Sequence, residues 1–103
     1  MKVYFVGAGP GDPKLITIKG KEIIEKADIV IYAGSLVNKE ILIFAVNAKE
    51  VHNSATLNLN EIGDIFRKAK ERDFNVARIH SGDPSIYGAI NEQMRLLDDL
   101  GIA

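Results

Sequence analysis

The sequence contains no cysteine and no tryptophan, and it has no large excess of charge of either sign. Without cysteine the chain forms neither a disulfide framework nor a thiolate site. Thirteen basic residues against fourteen acidic ones leave a net charge of −1, so there is no basic excess for nucleic-acid phosphates or an anionic membrane. The longest apolar runs, such as 41–46, are too short to cross a bilayer, and no signal-peptide pattern follows Met1. We therefore expect a cytoplasmic protein that binds neither nucleic acid nor membranes.

The apolar residues follow two alternating periodicities along the 103 residues. Short runs rich in Val, Ile, Tyr and Phe indicate buried strands, and each is followed by apolar residues at helical spacing. This β-α-β-α-β-α-β-α order predicts an α/β fold with an open, mostly parallel sheet and right-handed crossover helices. The predicted strands are 2–6, 28–32, 50–52 and 74–79, and the predicted helices begin near residues 14–17, 38, 58 and 86.

Two local signals refine the predicted helices. Asn58 and Glu61 have the spacing of a capping box at the start of the third helix. Gly20 lies inside the first helix, where glycine costs roughly 1 kcal/mol relative to alanine. We expect Gly20 to mark close packing of that helix against the sheet.

Two loops rich in glycine and proline follow the first and fourth predicted strands. They are Gly-Ala-Gly-Pro-Gly-Asp-Pro at 7–13 and His-Ser-Gly-Asp-Pro-Ser-Ile-Tyr-Gly at 80–88. Open α/β sheets bind ligands at the carboxyl ends of their strands. A dinucleotide fingerprint is excluded because Asp12 stands where its third glycine belongs, and no Walker pattern is present. An acid in each loop favours a ligand with positive or hydrogen-bond-donor groups, although each loop alone also fits a capped structural turn.

These loops, together with Tyr-Ala-Gly-Ser-Leu-Val at 32–37, resemble the three N-terminal signatures of the tetrapyrrole methylases, which use S-adenosylmethionine. Within that family, the loops at 32–37 and 82–88 are similar to those of the precorrin-4 and cobalt-precorrin-4 methyltransferases. Those enzymes methylate ring carbon 11 in corrin (vitamin B12) biosynthesis. The resemblance covers the whole chain in order, and it implies a tetrapyrrole substrate and a homodimer.

The resemblance also implies roles for single residues. Asp12 is the candidate catalytic residue, either as a proton acceptor or as a holder of a substrate group. The cofactor would lie against the two Gly-Asp-Pro loops and the tetrapyrrole against the 32–37 loop. The implied cofactor contacts are Pro10, Gly82, Asp83, Ile86 and Tyr87, and the implied substrate contacts are Tyr32, Ser35 and Leu36.

Residues 1–103 correspond to the first of the two α/β domains that the resemblance implies. Gly101 suits the position after the last helix, and residues 102–103 look like the entry to a further strand. We therefore expect a chain truncated before the last strand of its domain and before the C-terminal domain. We expect this fragment alone to be inactive.

Methyl transfer from a sulfonium depends mainly on orienting two reactants. This agrees with a sequence that offers no Ser/His/Asp or Cys/His set and no clustered metal ligands. We interpret His52 and His80 as packed residues, and the basic residues at 67–72 as a solvated helix face or, alternatively, a surface that steers a carboxylate-rich substrate. Two other functions stay open: another tetrapyrrole methylase with a different substrate, and a non-catalytic α/β binding or assembly domain.

Overall fold

The computed structural model describes residues 2–7, 16–32, 39–80, 95, 97, 98 and 101. Over these residues the chain alternates between strands and helices, as the sequence predicts. The strands are β1 (Val3–Gly7), β2 (Ile29–Tyr32), β3 (Glu50–Asn53) and β4 (Val76–His80). The helices are α1 (Ile18–Lys26) and α2 (Leu59–Arg72), with 3₁₀ helices at Lys39–Phe44 and Ser54–Thr56.

The four strands form one parallel sheet in the order β1-β4-β2-β3. β4 comes last in the chain but lies between β1 and β2. Gly7 pairs with His80, and Tyr32 pairs with both Ile79 and Asn53. The carboxyl ends of all four strands therefore meet at one edge of the sheet.

Helices cover both faces of the sheet. Successive side chains of β4 point to opposite faces, so Ala77 and Ile79 pack in one core with Ile24 of α1. Val76 packs in the other core with Phe66 of α2. Burial on both faces explains why the strand sequences are almost wholly apolar.

Thr17 caps the start of α1, and its side chain accepts a hydrogen bond of 3.0 Å from the backbone N–H of Gly20. A Cβ atom on Gly20 would lie 3.0 Å from Cγ1 of Val6 in β1. The close approach predicted for this glycine is therefore confirmed, because any side chain would press on the sheet.

The second helical segment differs from its prediction. The sequence indicates a helix capped by Asn38, whereas the described part of this segment is a 3₁₀ helix over Lys39–Phe44. Ile41 is its buried residue, and Ile43 is 67% exposed. Leu42 and Phe44 of the same segment are partly buried and pack against the core beside Ile41.

Both ends of α2 are stabilised by specific hydrogen bonds. At its start the predicted capping box is confirmed: Glu61 N donates to Asn58 Oδ1 at 2.9 Å, and Asn58 N donates to Glu61 Oε1 at 3.2 Å. At its end Asp73 adopts a left-handed conformation with φ of 56° and donates its N–H to the carbonyls of Ala69 and Lys70.

The last predicted helix is described at three positions, residues 95, 97 and 98, which are helical. The apolar spacing of the sequence predicts that Leu97 is buried together with residues 86, 89, 90 and 94, and Leu97 is indeed buried beside α2. Gly101 has φ of 69° and donates to the carbonyl of Asp98 at 3.0 Å, which matches its predicted place after the helix. The other predicted core positions of this helix lie outside the described residues.

The amino edge of the sheet is joined by a polar network centred on Asp28. Its carboxylate accepts hydrogen bonds from Lys49 Nζ at 2.7 Å and from the backbone N–H of Asn75 at 3.0 Å. The Asn75 side chain in turn accepts from the backbone N–H of Lys2 at 3.0 Å. These bonds hold the segments that enter β1, β2, β3 and β4 in register.

Candidate functional site

The described residues that come after β4 pack on the opposite face of the sheet from those that come after its two neighbours. After β1 and after β2 the chain packs on the face of α1 and Ile41. After β4 it reaches the other face, where Leu97 packs beside α2. Where neighbouring strands send the chain to opposite faces, a crevice opens outside their carboxyl ends, and open α/β sheets bind ligands there. The candidate site is this crevice.

Gly7 and His80 end β1 and β4 and stand in register across the parallel ladder. The imidazole leans over the glycine, because a Cβ atom on Gly7 would lie 3.7 Å from Cε1 of His80. Gly7 is exposed and His80 is partly buried. The pair therefore contributes to the surface of the crevice, and each residue belongs to one of the two loops that the sequence singles out.

His80 carries a buried Nδ1 atom without a hydrogen-bond partner, the one such side-chain atom in the part of the chain that the structure describes. Burial lowers the pKa of His80 below 6.5, and the nearby charge of Arg78 lowers it further. The imidazole is therefore neutral near pH 7, with one ring nitrogen able to accept a hydrogen bond.

Arg78 lies two residues before His80 and points to the same face of the sheet. It is 6% exposed, and its Nη1 donates to the carbonyl of Ile79 at 2.9 Å. Burial lowers the pKa of the Arg78 guanidinium below its ordinary value, but arginine keeps its proton in proteins. A positive charge is thus fixed inside the sheet next to the crevice.

Tyr32, a predicted substrate contact, ends β2 at the same edge and is partly buried against the core beneath α1. Its ring points to the α1 face, whereas the imidazole of His80 points to the α2 face. The remaining predicted site residues lie outside the described residues: Pro10, Asp12, Ser35, Leu36, Gly82, Asp83, Ile86 and Tyr87.

The two histidines, which the sequence interpretation treats alike, have different surroundings. His52 Nε2 lies 3.0 Å from Oε1 of Glu50, whose Oε2 accepts from Arg72 at 2.9 Å. His52 is thus hydrogen-bonded to a carboxylate that also pairs with Arg72 of α2. His80 is packed too, but its unpaired nitrogen makes it a candidate functional residue that sequence reasoning missed. The available signal was its position directly before Ser-Gly-Asp-Pro.

The basic residues at 67–72 lie away from the crevice. α2 starts at the carboxyl edge after β3 and ends before β4, so its C-terminal end is at the amino edge. There Arg72 pairs with Glu50, and along the helix Arg67 pairs with Asp64. This placement favours a solvated helix face over a surface that steers substrate into the crevice.

Within the described ranges, no group of three or more His, Asp or Glu side chains is arranged to hold a metal ion. None of the helices in the same ranges combines the length and the apolarity that crossing a membrane requires.

The family model described as Tetrapyrrole (Corrin/Porphyrin) Methylases matches residues 2–103. The chain belongs to the tetrapyrrole methylase family. It is 57% identical over 101 residues to the cobalt-precorrin-4 C(11)-methyltransferase of Methanocaldococcus jannaschii, and 52% identical over 102 residues to the precorrin-4 C(11)-methyltransferase of Pseudomonas aeruginosa. These alignments cover 98% and 99% of this tetrapyrrole methylase chain, but 39% and 40% of the two relatives. The chain therefore spans about two fifths of their length.

Solved structures of tetrapyrrole methylases share the fold. A cobalt precorrin-4 methyltransferase aligns with a TM-score of 0.84 and 42% identity, covering 98% of this chain and 42% of that one. The uroporphyrin-III C-methyl transferase of Thermus thermophilus, complexed with S-adenyl homocysteine, aligns with a TM-score of 0.77 and 30% identity, covering 99% and 45%. The predicted α/β fold with an open parallel sheet is confirmed.

Proposed function

We propose that the complete protein uses S-adenosylmethionine to methylate ring carbon 11 of precorrin-4, or of its cobalt form, in cobalamin biosynthesis. The observation that carries this proposal is the position of Gly7 and His80 at the crevice. The two Gly-Asp-Pro loops with the family's signatures begin at these residues. Relatives that share more than half of their aligned residues with this chain are named for the same reaction.

The described surface of the crevice fits an adenosyl cofactor. Gly7 presents bare backbone, which lets a ligand approach closely, and the imidazole of His80 lies beside it at the end of β4. When bound, the cofactor would supply a methyl group activated by a sulfonium. The protein then has to orient cofactor and tetrapyrrole and to exclude water, effects worth on the order of 7–11 kcal/mol for well-oriented reactants.

We assign roles to the loop residues from the family signatures. Asp12 is proposed to accept a proton or to hold a substrate group, and it belongs to the loop that follows β1 in the sequence. The proposed cofactor contacts are Pro10, Gly82, Asp83, Ile86 and Tyr87, and the proposed substrate contacts are Tyr32, Ser35 and Leu36.

The topology supports the proposal that this chain is the N-terminal domain of a two-domain enzyme. Through α2 the chain crosses over β2 and reaches β4. A second right-handed crossover on the same face would place the next strand beside β1, on its free side. Tyr4 on β1 is 36% exposed, and two grooves along β1 and α1 share Tyr4, Lys19 and Ile23 as lining residues. A fifth strand, supplied by the chain after residue 103, would cover both grooves.

The resemblance to the family also leads us to propose a cytoplasmic homodimer. The lack of cysteine is consistent with a reducing compartment. Light scattering coupled to size-exclusion chromatography measures the mass of the complete protein, and a monomeric mass would contradict the dimer.

The function is tested by incubating the complete protein with S-adenosylmethionine and precorrin-4, with and without cobalt. We expect one added methyl group by mass spectrometry and release of S-adenosylhomocysteine. Asp83→Ala should raise the Kd for S-adenosylhomocysteine about tenfold or more, whereas Asp12→Asn should lower turnover and leave that Kd unchanged. Glu71→Gln, an exposed change on α2, is the matched control.

Each alternative function gives a different result in this experiment. Methylation of another tetrapyrrole, such as uroporphyrinogen III, with precorrin-4 left unchanged, would assign the protein to a different branch of the family. A folded complete protein that binds no S-adenosylhomocysteine would instead be a non-catalytic binding domain, and the proposed function would be withdrawn.

A further inference from the structure

Arg78 is the one buried charged residue in the part of the chain that the structure describes. It lies in the central strand β4 between Ala77 and Ile79, which are both fully buried. A charge inside a protein is costly unless its hydrogen-bond donors are paired. An aliphatic residue at this position would avoid that cost, so the contacts of the guanidinium indicate a role beyond packing.

The guanidinium of Arg78 holds a backbone carbonyl near the end of β4. Its Nη1 donates to the carbonyl of Ile79 at 2.9 Å, and a hydrogen bond from a charged donor is stronger than one between neutral groups. The side chain thus reaches forward to the peptide between Ile79 and His80. Because His80 ends β4 and begins the loop at 80–88, the bond fixes the last peptide of the strand before that loop.

The carbonyl that Arg78 holds faces β2. The carbonyl of Asn75, just before β4, points to β2, because it accepts from the N–H groups of Asp28 and Ile29. Alternate residues of a strand direct their carbonyls to the same side, so the carbonyl of Ile79 also faces β2. There Ile79 stands in register with Tyr32, the last residue of β2. Arg78 therefore anchors β4 at the point where it meets the end of β2.

We infer that Arg78 is a positioning residue for cofactor binding, which acts through the carbonyl of Ile79 on the loop at 80–88. The guanidinium does not bind the cofactor itself, since Arg78 is buried inside the sheet. The two strand ends that meet at this carbonyl lead into the loops proposed to bind the cofactor and the tetrapyrrole, whose relative placement the methyl transfer depends on. This inference rests on the proposed function, because it takes the adenosyl cofactor as the ligand of the crevice.

The test is calorimetric titration of S-adenosylhomocysteine into the complete protein and three variants of Arg78. Lysine keeps a charged donor, whereas glutamine is too short to reach the carbonyl of Ile79 and methionine has no donor. We expect Arg78→Lys to keep the Kd within about threefold of the wild type. Arg78→Gln and Arg78→Met should raise the Kd about tenfold.

Two control variants separate positioning from a general loss of stability or of positive charge. Asp28→Asn removes an acceptor of hydrogen bonds at the amino edge of the sheet, so it should lower the stability of the protein and keep the wild-type Kd. Arg67→Gln removes an exposed arginine that pairs with Asp64 on α2, and it should keep the wild-type Kd as well.

The carbonyl of Ile79 gives a readout that does not depend on a ligand. In ¹³C-labelled complete protein without cofactor, its NMR resonance should move upfield in Arg78→Met, because the carbonyl loses a hydrogen bond. It should stay close to the wild-type position in Arg78→Lys. An unchanged resonance in Arg78→Met would show that the bond is not made in solution, and the inference would be wrong.

The binding results can overturn the inference in three ways. Equal affinities in all folded variants would make Arg78 a packing residue. If Asp28→Asn weakens binding as much as Arg78→Met, the loss follows stability and not the position of β4. If neither Arg78→Gln nor Arg78→Met folds, Arg78 is required by the fold itself. Each of these results leaves the proposed function intact, whereas a folded wild type that binds no S-adenosylhomocysteine overturns both.

Discussion

Gly7 and His80 face each other across the β1–β4 ladder, with 3.7 Å between Cε1 of the imidazole and the place where a Cβ atom on Gly7 would lie. That distance is an ordinary van der Waals contact, and Gly7 does not have a left-handed backbone conformation. The glycine is therefore not needed for the fold, but its missing side chain leaves room in the crevice.

We predict that Gly7→Ala keeps the free energy of unfolding or raises it by up to about 1 kcal/mol, because alanine loses less backbone entropy on folding. Gly7→Leu should fill the crevice and weaken binding of S-adenosylhomocysteine in the complete protein. Urea unfolding and calorimetry measure the two effects. An alanine variant that is clearly less stable than the wild type would show that the backbone at Gly7 requires glycine.

Gly20 is a different case, because a Cβ atom there would lie 3.0 Å from Cγ1 of Val6 and 3.1 Å from Oγ1 of Thr17. Alanine gains roughly 1 kcal/mol of helix propensity, but overpacking a core costs about 1–3 kcal/mol. We expect Gly20→Ala to lower the free energy of unfolding by about 1 kcal/mol. Glu22→Ala, an exposed change in the same helix, is the control. A stabilised Gly20→Ala would mean that α1 can move off the sheet.

Asp28 should stabilise the sheet in a pH-dependent way. Its hydrogen bonds with Lys49, and then with the backbone of Asn75, hold its pKa below the ordinary 3.8. A lowered carboxyl pKa adds stability that is fully present above about pH 4 and is lost as the pH falls through the folded-state pKa.

We expect Asp28→Asn to lower the free energy of unfolding at pH 7 by about 1–2 kcal/mol. The difference in free energy of unfolding between Asp28→Asn and the wild type should disappear in acid, where the side chains at position 28 are neutral in both proteins. Urea unfolding at several pH values measures it, with Glu71→Gln, an exposed change on α2, as the control. If the variant is still less stable at low pH, its lower stability comes from altered hydrogen-bond geometry and not from the lost charge.

His80 should affect stability in a higher pH range. Its pKa is lowered from 6.5 by burial and by Arg78, so between the two values the unfolded chain binds more protons than the folded one. The free energy of unfolding should therefore fall as the pH decreases below about 6.5.

We expect His80→Asn to remove this part of the pH dependence. Urea unfolding between about pH 5.5 and pH 7.5 measures it. The sequence has two histidines, so the comparison is made in a His52→Gln background. An unchanged slope in His80→Asn would show that the imidazole is equally easy to protonate in both states.

Local features of the fold were predictable because they depend on neighbouring residues. The capping box of Asn58 and Glu61 joins residues three apart, and both of its hydrogen bonds form as expected. The strand order was not predictable in this way. It depends on pairings such as Gly7 with His80, which leave no mark on the local sequence.

The candidate site was also predictable only in part. The alternation of strands and helices was enough to predict that the two Gly-Asp-Pro loops follow strands that end at the same edge of the sheet. The importance of His80 required knowing which ring nitrogen is buried and what surrounds it. The 3₁₀ helix at Lys39–Phe44 was also missed, because apolar spacing over six residues does not distinguish it from a short α-helix.

The place of β4 in the sheet has a consequence for how the protein acquires its structure during synthesis. In this four-stranded sheet β1 pairs with β4, and β4 separates it from β2. Until residues 76–80 of a nascent chain have left the ribosome, β2 and β3 can pair with each other, but β1 lacks the strand with which it pairs in this sheet. Contacts between such distant parts of a chain form slowly. During synthesis, β1 is therefore the strand with the longest time in which to pair with a wrong partner.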